Sequence, residues 1–199
     1  MDVPLRLYPR KFHLDRATVA RHIARYLKAV TLIPDELHHF VDESHWLDYG
    51  CGSGYGTALL ANFARRVDGY DHDREAIKYA IDHGSAAGVR YIDSIRQHEC
   101  YEAVFMIEVA EHMAQEQFQP LLGALASFHL SDGGVIIVTT PIVEETGPSK
   151  TNPHHKCEYT VEDFKQVVKE ACLEVRSLLI QSVESTAGEM KQGFFVLGN

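Results

Sequence analysis

The chain has 199 residues, 45% of them hydrophobic and 24% charged, with a formal net charge of -9. That length suits one well-packed domain and leaves little room for a second. The acidic balance works against a broad, unaided grip on phosphate backbones, so nucleic acid is not expected as the main partner. Arg6, Arg10 and Lys11 near the start are the candidates for a local basic patch. No apolar run approaches the ~18 residues that a membrane helix requires, so no membrane span is expected. Charged residues stand within the first eleven positions, which speaks against a secretory leader. Cys51, Cys100, Cys157 and Cys172 are scattered without a C-x-x-C pair. The expectation is four reduced thiols in a cytoplasmic protein.

In chain order, Val19, Ile23, Leu27 and Val30 recur at helical spacing and predict an amphipathic helix over 18–32, ending near Pro34. Trp46 to Tyr49 reads as a strand that meets a glycine-rich turn, after which Leu59, Leu60 and Phe63 mark a helical face. Val67 to Tyr70 is a second strand, with Asp73 placed to cap a helix bearing Ile77 and Ile81. Val89 to Ile92 and Ala103 to Ile107 are the third and fourth strands. Phe118, Leu121, Leu122, Leu125 and Phe128 predict a helix with Pro120 in its first turn, where a missing N–H costs little. Asp132-Gly133-Gly134 reads as a turn into the strand Val135 to Thr139. Thr160 and Asp163 make a capping-box-like pair for a helix bearing Phe164, Val167 and Val168. Val175 to Ile180 and Phe194 to Leu197 close the chain as strands without a helix between them, so an antiparallel pair at one edge is expected. The alternation predicts an α/β fold: a Rossmann-like, doubly wound, mostly parallel seven-stranded sheet with an antiparallel edge strand and an added N-terminal helix. One domain over 1–199 is expected, with an N-terminal helical extension (1–44), a cofactor-binding half (45–140) and an acceptor-side half (141–199).

The sharpest local signal is Asp48-Tyr49-Gly50-Cys51-Gly52-Ser53-Gly54-Tyr55-Gly56, set between a strand and a helix. Glycines permit positive φ and leave room for a ligand to approach the backbone. The helix start behind the loop offers free N–H groups to an anionic group. With Asp48 two residues before the first of four alternating glycines, this segment resembles the first motif of class I S-adenosylmethionine-dependent methyltransferases. Asp71 ends the second strand, where an acid can accept hydrogen bonds from both ribose hydroxyls. The surrounding Val67 to Asp71, with Ala76, Ile77 and Ala80, is similar to the family's second motif.

The resemblance implies that S-adenosyl-L-methionine is held by Asp48, Gly50, Cys51, Gly52, Gly54, Tyr55, Asp71 and Glu108. It also implies Asp93 against the adenine, and His72, which follows Asp71, is expected either along the nucleoside or in solvent. S-adenosyl-L-homocysteine would be the product.

Downstream, Glu108-Val109-Ala110-Glu111-His112, Thr140-Pro141 and Asn152-Pro153-His154-His155-Lys156-Cys157-Glu158-Tyr159 resemble a subgroup carrying E-x-x-E-H, T-P and N-P-x-H-x-x-E-[YF] motifs. Many of its members act on sugars, glycans and small metabolites. His22 to Tyr26 and Gly54 to Leu60 extend the likeness to most of residues 18–170. It implies O-methylation of a sugar, glycan or small hydroxylated metabolite. His112 or His155 would be the base and Glu108 or Glu111 would orient it, beneath a loop formed by 141–158. The same four residues, Glu108, Glu111, His112 and His155, also resemble the ligands of metal-dependent methyltransferases acting on the terminal ribose of small RNAs. Cys157 and Tyr159 depart from that second pattern at positions that are not ligands. The expected mechanism is metal-free, with a divalent metal as the alternative. A silent S-adenosylmethionine-binding subunit or sensor is a further alternative, against which His112, His155 and Glu158 argue.

Overall fold

The computed structural model describes residues 16–38, 43–185 and 188–199. Arg6, Arg10 and Lys11 lie outside them. In chain order the elements are α1 (Arg16–Val30), α2 (Asp35–His38), β1 (His45–Tyr49), α3 (Tyr55–Leu60), β2 (Arg66–Tyr70), α4 (Arg74–His83), β3 (Val89–Ile92) and β4 (Tyr101–Ile107). A 3-10 turn (Ala110–His112), α5 (Gln115–Phe128), β5 (Leu130–Ile142), α6 (Val161–Glu170), β6 (Glu174–Ser185) and β7 (Gly188–Gly198) follow.

All the strands join one seven-stranded sheet in the order β3-β2-β1-β4-β5-β7-β6. The pairs from β3 through β5 are parallel, whereas β7 runs antiparallel to both β5 and β6. This is the α/β, mostly parallel arrangement that the strand–helix alternation implies. The chain reverses its direction of winding between β1 and β4, and open α/β sheets hold ligands at the carboxyl ends of strands beside such a switch point. A core lies on each face. Leu47, Val104, Met106, Phe118, Tyr159 and Phe164 build one. Tyr26, Trp46, Val67, Phe105 and Ile137 build the other, under α1.

Two caps form as their residue types dictate. Asp73 accepts from the Glu75 N–H at 2.7 Å, and Thr160 accepts from the Asp163 N–H at 3.0 Å. Elsewhere the structure corrects the periodicity. Helix α1 buries Tyr26, Ala29 and Val30 while Leu27 is exposed, so its inner face is rotated by one residue. Phe63 lies beyond the short α3, and Phe63, Ile81 and Phe128 are all exposed. Helix α5 begins at Gln115, so Pro120 sits in the second turn and leaves the Glu116 carbonyl without its N–H partner. Asp132-Gly133-Gly134 is part of β5 rather than a turn before it, with Gly133 at φ 76. The β4–β5 register shifts between Tyr101 and Ala103, so the glycine pair makes a bulge instead of a reversal.

Candidate active site

The carboxyl ends of β1, β2 and β3 set Asp48, Asp71 and Asp93 along one rim of the sheet. Between β1 and α3 the glycine loop folds back on β2. The Gly50 and Cys51 N–H groups donate to the Tyr70 carbonyl at 2.7 and 2.9 Å. Gly50, Gly52 and Gly54 all have positive φ, of 80°, 53° and 81°. Their bare Cα atoms serve different ends. A Cβ on Gly54 would strike Tyr91, whose hydroxyl lies 2.8 Å from the Gly54 carbonyl. A Cβ on Gly56 would strike Tyr26. At Gly52 a Cβ would meet nothing within 4 Å, so that stretch of backbone faces open space.

Asp71 is 5% exposed. Its Oδ2 accepts from the Gly52 N–H at 3.0 Å and its Oδ1 from the Asp73 N–H at 2.9 Å. His72 stands beside it, with Nδ1 3.3 Å from Asp71 Oδ1 and its side chain 84% exposed. Asp93 is exposed and faces Arg74 at 3.5 Å. The Cys51 thiol is buried within the loop, and burial raises its pKa. Tyr55 opens α3 and meets Tyr26 edge-on at 5.8 Å.

Asp48 is placed differently from the other acids, since it is fully buried and shows no oxygen to solvent. It accepts from Thr57 Oγ1 at 2.7 Å and from Tyr26 Oη at 3.1 Å, joining β1, α3 and α1 behind the loop. Burial pushes its carboxyl up to about 7.

At the end of β4, Glu108 adopts φ 58, a left-handed conformation that a non-glycine residue rarely holds. Its carboxylate accepts from Thr139 Oγ1 at 2.9 Å and Gln192 Nε2 at 2.7 Å, and pairs with Arg25 at 3.2 Å. This network takes Glu108 out of the role expected of it as orienter of a histidine. Arg25, Thr139 and Gln192 carried no such signal in the sequence. Gln192 reaches the site only because β7 inserts beside β5, a pairing that sequence spacing does not reveal.

Within the 3-10 turn, Glu111 is fully buried, and among the described residues neither of its side-chain oxygens has a hydrogen-bond partner. Burial, with Glu108 nearby, pushes its carboxyl well above the ordinary range. The Glu111 carbonyl accepts from the Lys156 and Cys157 N–H groups at 2.7 and 3.2 Å, which fastens the segment after β5 against the turn. That contact brings the expected histidines together. Their rings lie 5.0 Å apart at 89°.

His112 Nδ1 lies 3.1 Å from the His154 carbonyl, and His155 Nδ1 lies 2.6 Å from Glu158 Oε1. Each contact makes Nδ1 the donor and leaves Nε2 with a lone pair. Desolvation lowers the pKa of His112, so its ring is neutral at pH 7. The group that orients His155 is therefore Glu158, and neither Glu108 nor Glu111. The spacing of three between His155 and Glu158 held that signal. Glu111, His112 and His155 each offer a ligand atom within 4.8 Å of the others, whereas Glu108 is not in that cluster.

Comparison with known proteins bears on the family and the fold. Residues 19–178 match the family model described as a methyltransferase domain. Over 145 residues the chain is 30% identical to a Mycolicibacterium smegmatis protein described as a probable S-adenosylmethionine-dependent methyltransferase. That match covers 67% of this chain and 53% of the relative, so the chain spans about half of the relative's length. The N-methyltransferase NodS from Bradyrhizobium japonicum shares the fold with a TM-score of 0.67 at 14% identity, covering 93% of this chain and 99% of that one. The magnesium protoporphyrin IX methyltransferase from Synechocystis, solved with S-adenosylmethionine bound, gives 0.65 at 13%, covering 92% and 82%. At such identities the likeness speaks for the fold alone. With that family model spanning most of its length, the chain belongs to the methyltransferase-domain family.

Proposed function

We propose that the chain methylates a hydroxyl oxygen of a sugar, glycan or small hydroxylated metabolite, with His155 as the base. The observation that carries this reading is the 2.6 Å contact between His155 Nδ1 and Glu158. A carboxylate on Nδ1 fixes the tautomer and leaves Nε2 to take a proton.

The residues fit the cofactor. The open face at Gly52 is a cradle that a side chain would fill, and the Asp71 carboxylate beside it is oriented by two backbone N–H groups. Gly50, Cys51, Gly52, Gly54 and Tyr55 would line its amino-acid end. Asp71 and His72 would face the ribose, and Asp93 the adenine. The bound cofactor supplies an electrophilic methyl group, already activated by the sulfonium. The chain's own task is to align the acceptor and take the hydroxyl proton onto His155 Nε2 as the new C–O bond forms. His112, neutral at pH 7, is placed to receive or relay a hydrogen bond beside it. Glu108, clamped by Arg25, Thr139 and Gln192, keeps the end of β4 fixed.

The test is S-adenosylhomocysteine formation over a panel of hydroxylated acceptors. General-base loss in His155→Ala should cut turnover by about 10²- to 10⁴-fold. Wild-type turnover in that variant would defeat the reading.

A second reading rests on Glu111. A buried carboxyl with no hydrogen-bond partner among the described residues, beside two imidazoles whose Nδ1 atoms are anchored, fits a divalent cation. Glu111, His112 and His155 would hold it, and it would lower the pKa of the acceptor hydroxyl. RNA terminal ribose is the acceptor class this reading adds. Activity that is lost with EDTA and restored by manganese, cobalt or magnesium would favour it over the metal-free base.

A further inference from the structure

The cofactor loop is flanked by two carboxyls in contrasting settings. Asp71 reaches the rim and is met by backbone N–H groups. Asp48 is sealed behind the loop and, among the described residues, has two hydroxyl donors, from Tyr26 on α1 and Thr57 on α3. The other titratable groups facing it are Tyr55 on α3, Cys51 in the loop, Tyr91 on β3 and Asp71 after β2. None is a cation. Among the described residues, no Lys, Arg or His side chain forms a hydrogen bond or ion pair with Asp48.

A buried carboxylate without a positive partner is held towards its neutral form, because removal from water penalises the charge. The negative charge of Asp71 acts in the same direction. S-adenosylmethionine carries a sulfonium and an ammonium, and its demethylated product keeps the ammonium but has a neutral sulfur. Placing added positive charge against this loop supplies what the Asp48 site lacks. We infer that Asp48 is a proton-coupled counter-charge for the cationic cofactor, losing its proton as the cofactor binds and so favouring the sulfonium form over the neutral-sulfur product. The O–H bond that breaks is that of the Asp48 carboxyl, and the proton passes to the buffer. The rise of that carboxyl to about 7 places the event in the range where the protein is handled. This inference rests on the family's use of S-adenosylmethionine and is independent of the acceptor.

The test is titration calorimetry with S-adenosylmethionine at pH 6 in two buffers of different ionisation enthalpy, using the intact chain. The dependence of observed heat on buffer gives the protons released. Wild type should release close to one. Between pH 5.5 and 7.0 its affinity should rise about 15-fold, from linkage to a single group that starts near 7 and falls below 5 in the complex. The cofactor's own amino group titrates near 7.7–8.0, so the series stays below that range.

Asp48→Asn, which mimics the neutral carboxyl, should release none and bind with a flat pH profile. Its preference for S-adenosylmethionine over S-adenosylhomocysteine should shrink by about tenfold, the equivalent of one pKa unit. Thr57→Val, which removes one donor to the carboxylate, should move the wild-type pH profile upward and keeps the test open if Asp48→Asn folds poorly. Binding by wild type without proton release, or equal release from Asp48→Asn, overturns the inference while leaving the cofactor assignment intact. Failure of S-adenosylmethionine to bind at any pH would remove both.

Discussion

Gly56 offers the most direct check of how α1 is locked onto the cofactor loop. A Cβ at this position would lie within 3.0 Å of Cζ, Oη and Cε1 of Tyr26. That ring cannot simply swing away: it is 4% exposed, hydrogen-bonded to Asp48 at 3.1 Å and packed edge-on against Tyr55. Forcing a methyl into such a contact costs about 1–3 kcal/mol. Alanine returns roughly 0.5–1 kcal/mol over glycine within a helix, which offsets part of this. The net loss for Gly56→Ala is then about 1 kcal/mol at the middle of those ranges and at most about 2.5 kcal/mol. For a chain of this size each kcal/mol lowers Tm by about 2–4 °C, so the expected drop is about 2–5 °C.

Thermal unfolding followed by circular dichroism measures it. A cycle with Tyr26→Leu, which removes the atoms in the way, should recover about 0.5–3 kcal/mol as coupling between the two positions. An unchanged Tm in Gly56→Ala, or strict additivity in the cycle, would refute the packing argument.

Gly52→Val should behave oppositely, weakening cofactor affinity sharply in calorimetry while costing about 1–2 kcal/mol of stability through its left-handed backbone alone. Asp71→Ala should weaken S-adenosylmethionine binding by about 10- to 150-fold, the equivalent of roughly 1.5–3 kcal/mol for hydrogen bonds to a charged group. Glu158→Gln, measured by S-adenosylhomocysteine formation, should lower kcat by about 10- to 100-fold, within the range of a charge-assisted hydrogen bond, with cofactor affinity unchanged. Asp68 is fully buried, and although burial opposes it, hydrogen bonds from His45 and Arg90 hold its carboxyl below the usual carboxylate range. Its depressed pKa contributes stability above the unfolded value of about 3.9 that is lost as pH falls. Acid titration of Tm should therefore be shallower in Asp68→Asn than in wild type.

Much of the fold was legible because parallel strands buried on both faces read as apolar runs: Val104 to Ile107 and Val135 to Val138 could be little else. Helix faces were less legible. Leu27, Ile81 and Phe128 keep the period of a buried stripe, yet the sheet meets their helices at neighbouring positions. The glycine loop was found by spacing, but spacing treats its glycines alike, and only the structure separates Gly52, which faces open space, from Gly54 and Gly56, which accommodate tyrosine rings. Asp48 was expected at the cofactor from its place in the motif, but sequence position does not report that it is fully buried behind the loop. The histidines were found and their partners mistaken. Glu108 and Glu111 are near His112 in sequence, whereas the partner of His155 lies three residues beyond it in the same loop. Arg25 and Gln192 come from opposite ends of the chain and meet at Glu108 only after the sheet has formed.

The central claim is oxygen methylation with His155 as base. The measurement that tests it most directly uses S-adenosylmethionine labelled in its methyl group, with wild type and His155→Ala run on each acceptor of the hydroxylated panel. The account predicts label on an acceptor oxygen with wild type, at least about 100-fold slower transfer in His155→Ala, and equal cofactor affinity in the two proteins. Label on nitrogen or carbon, or equal rates from both proteins, would contradict it.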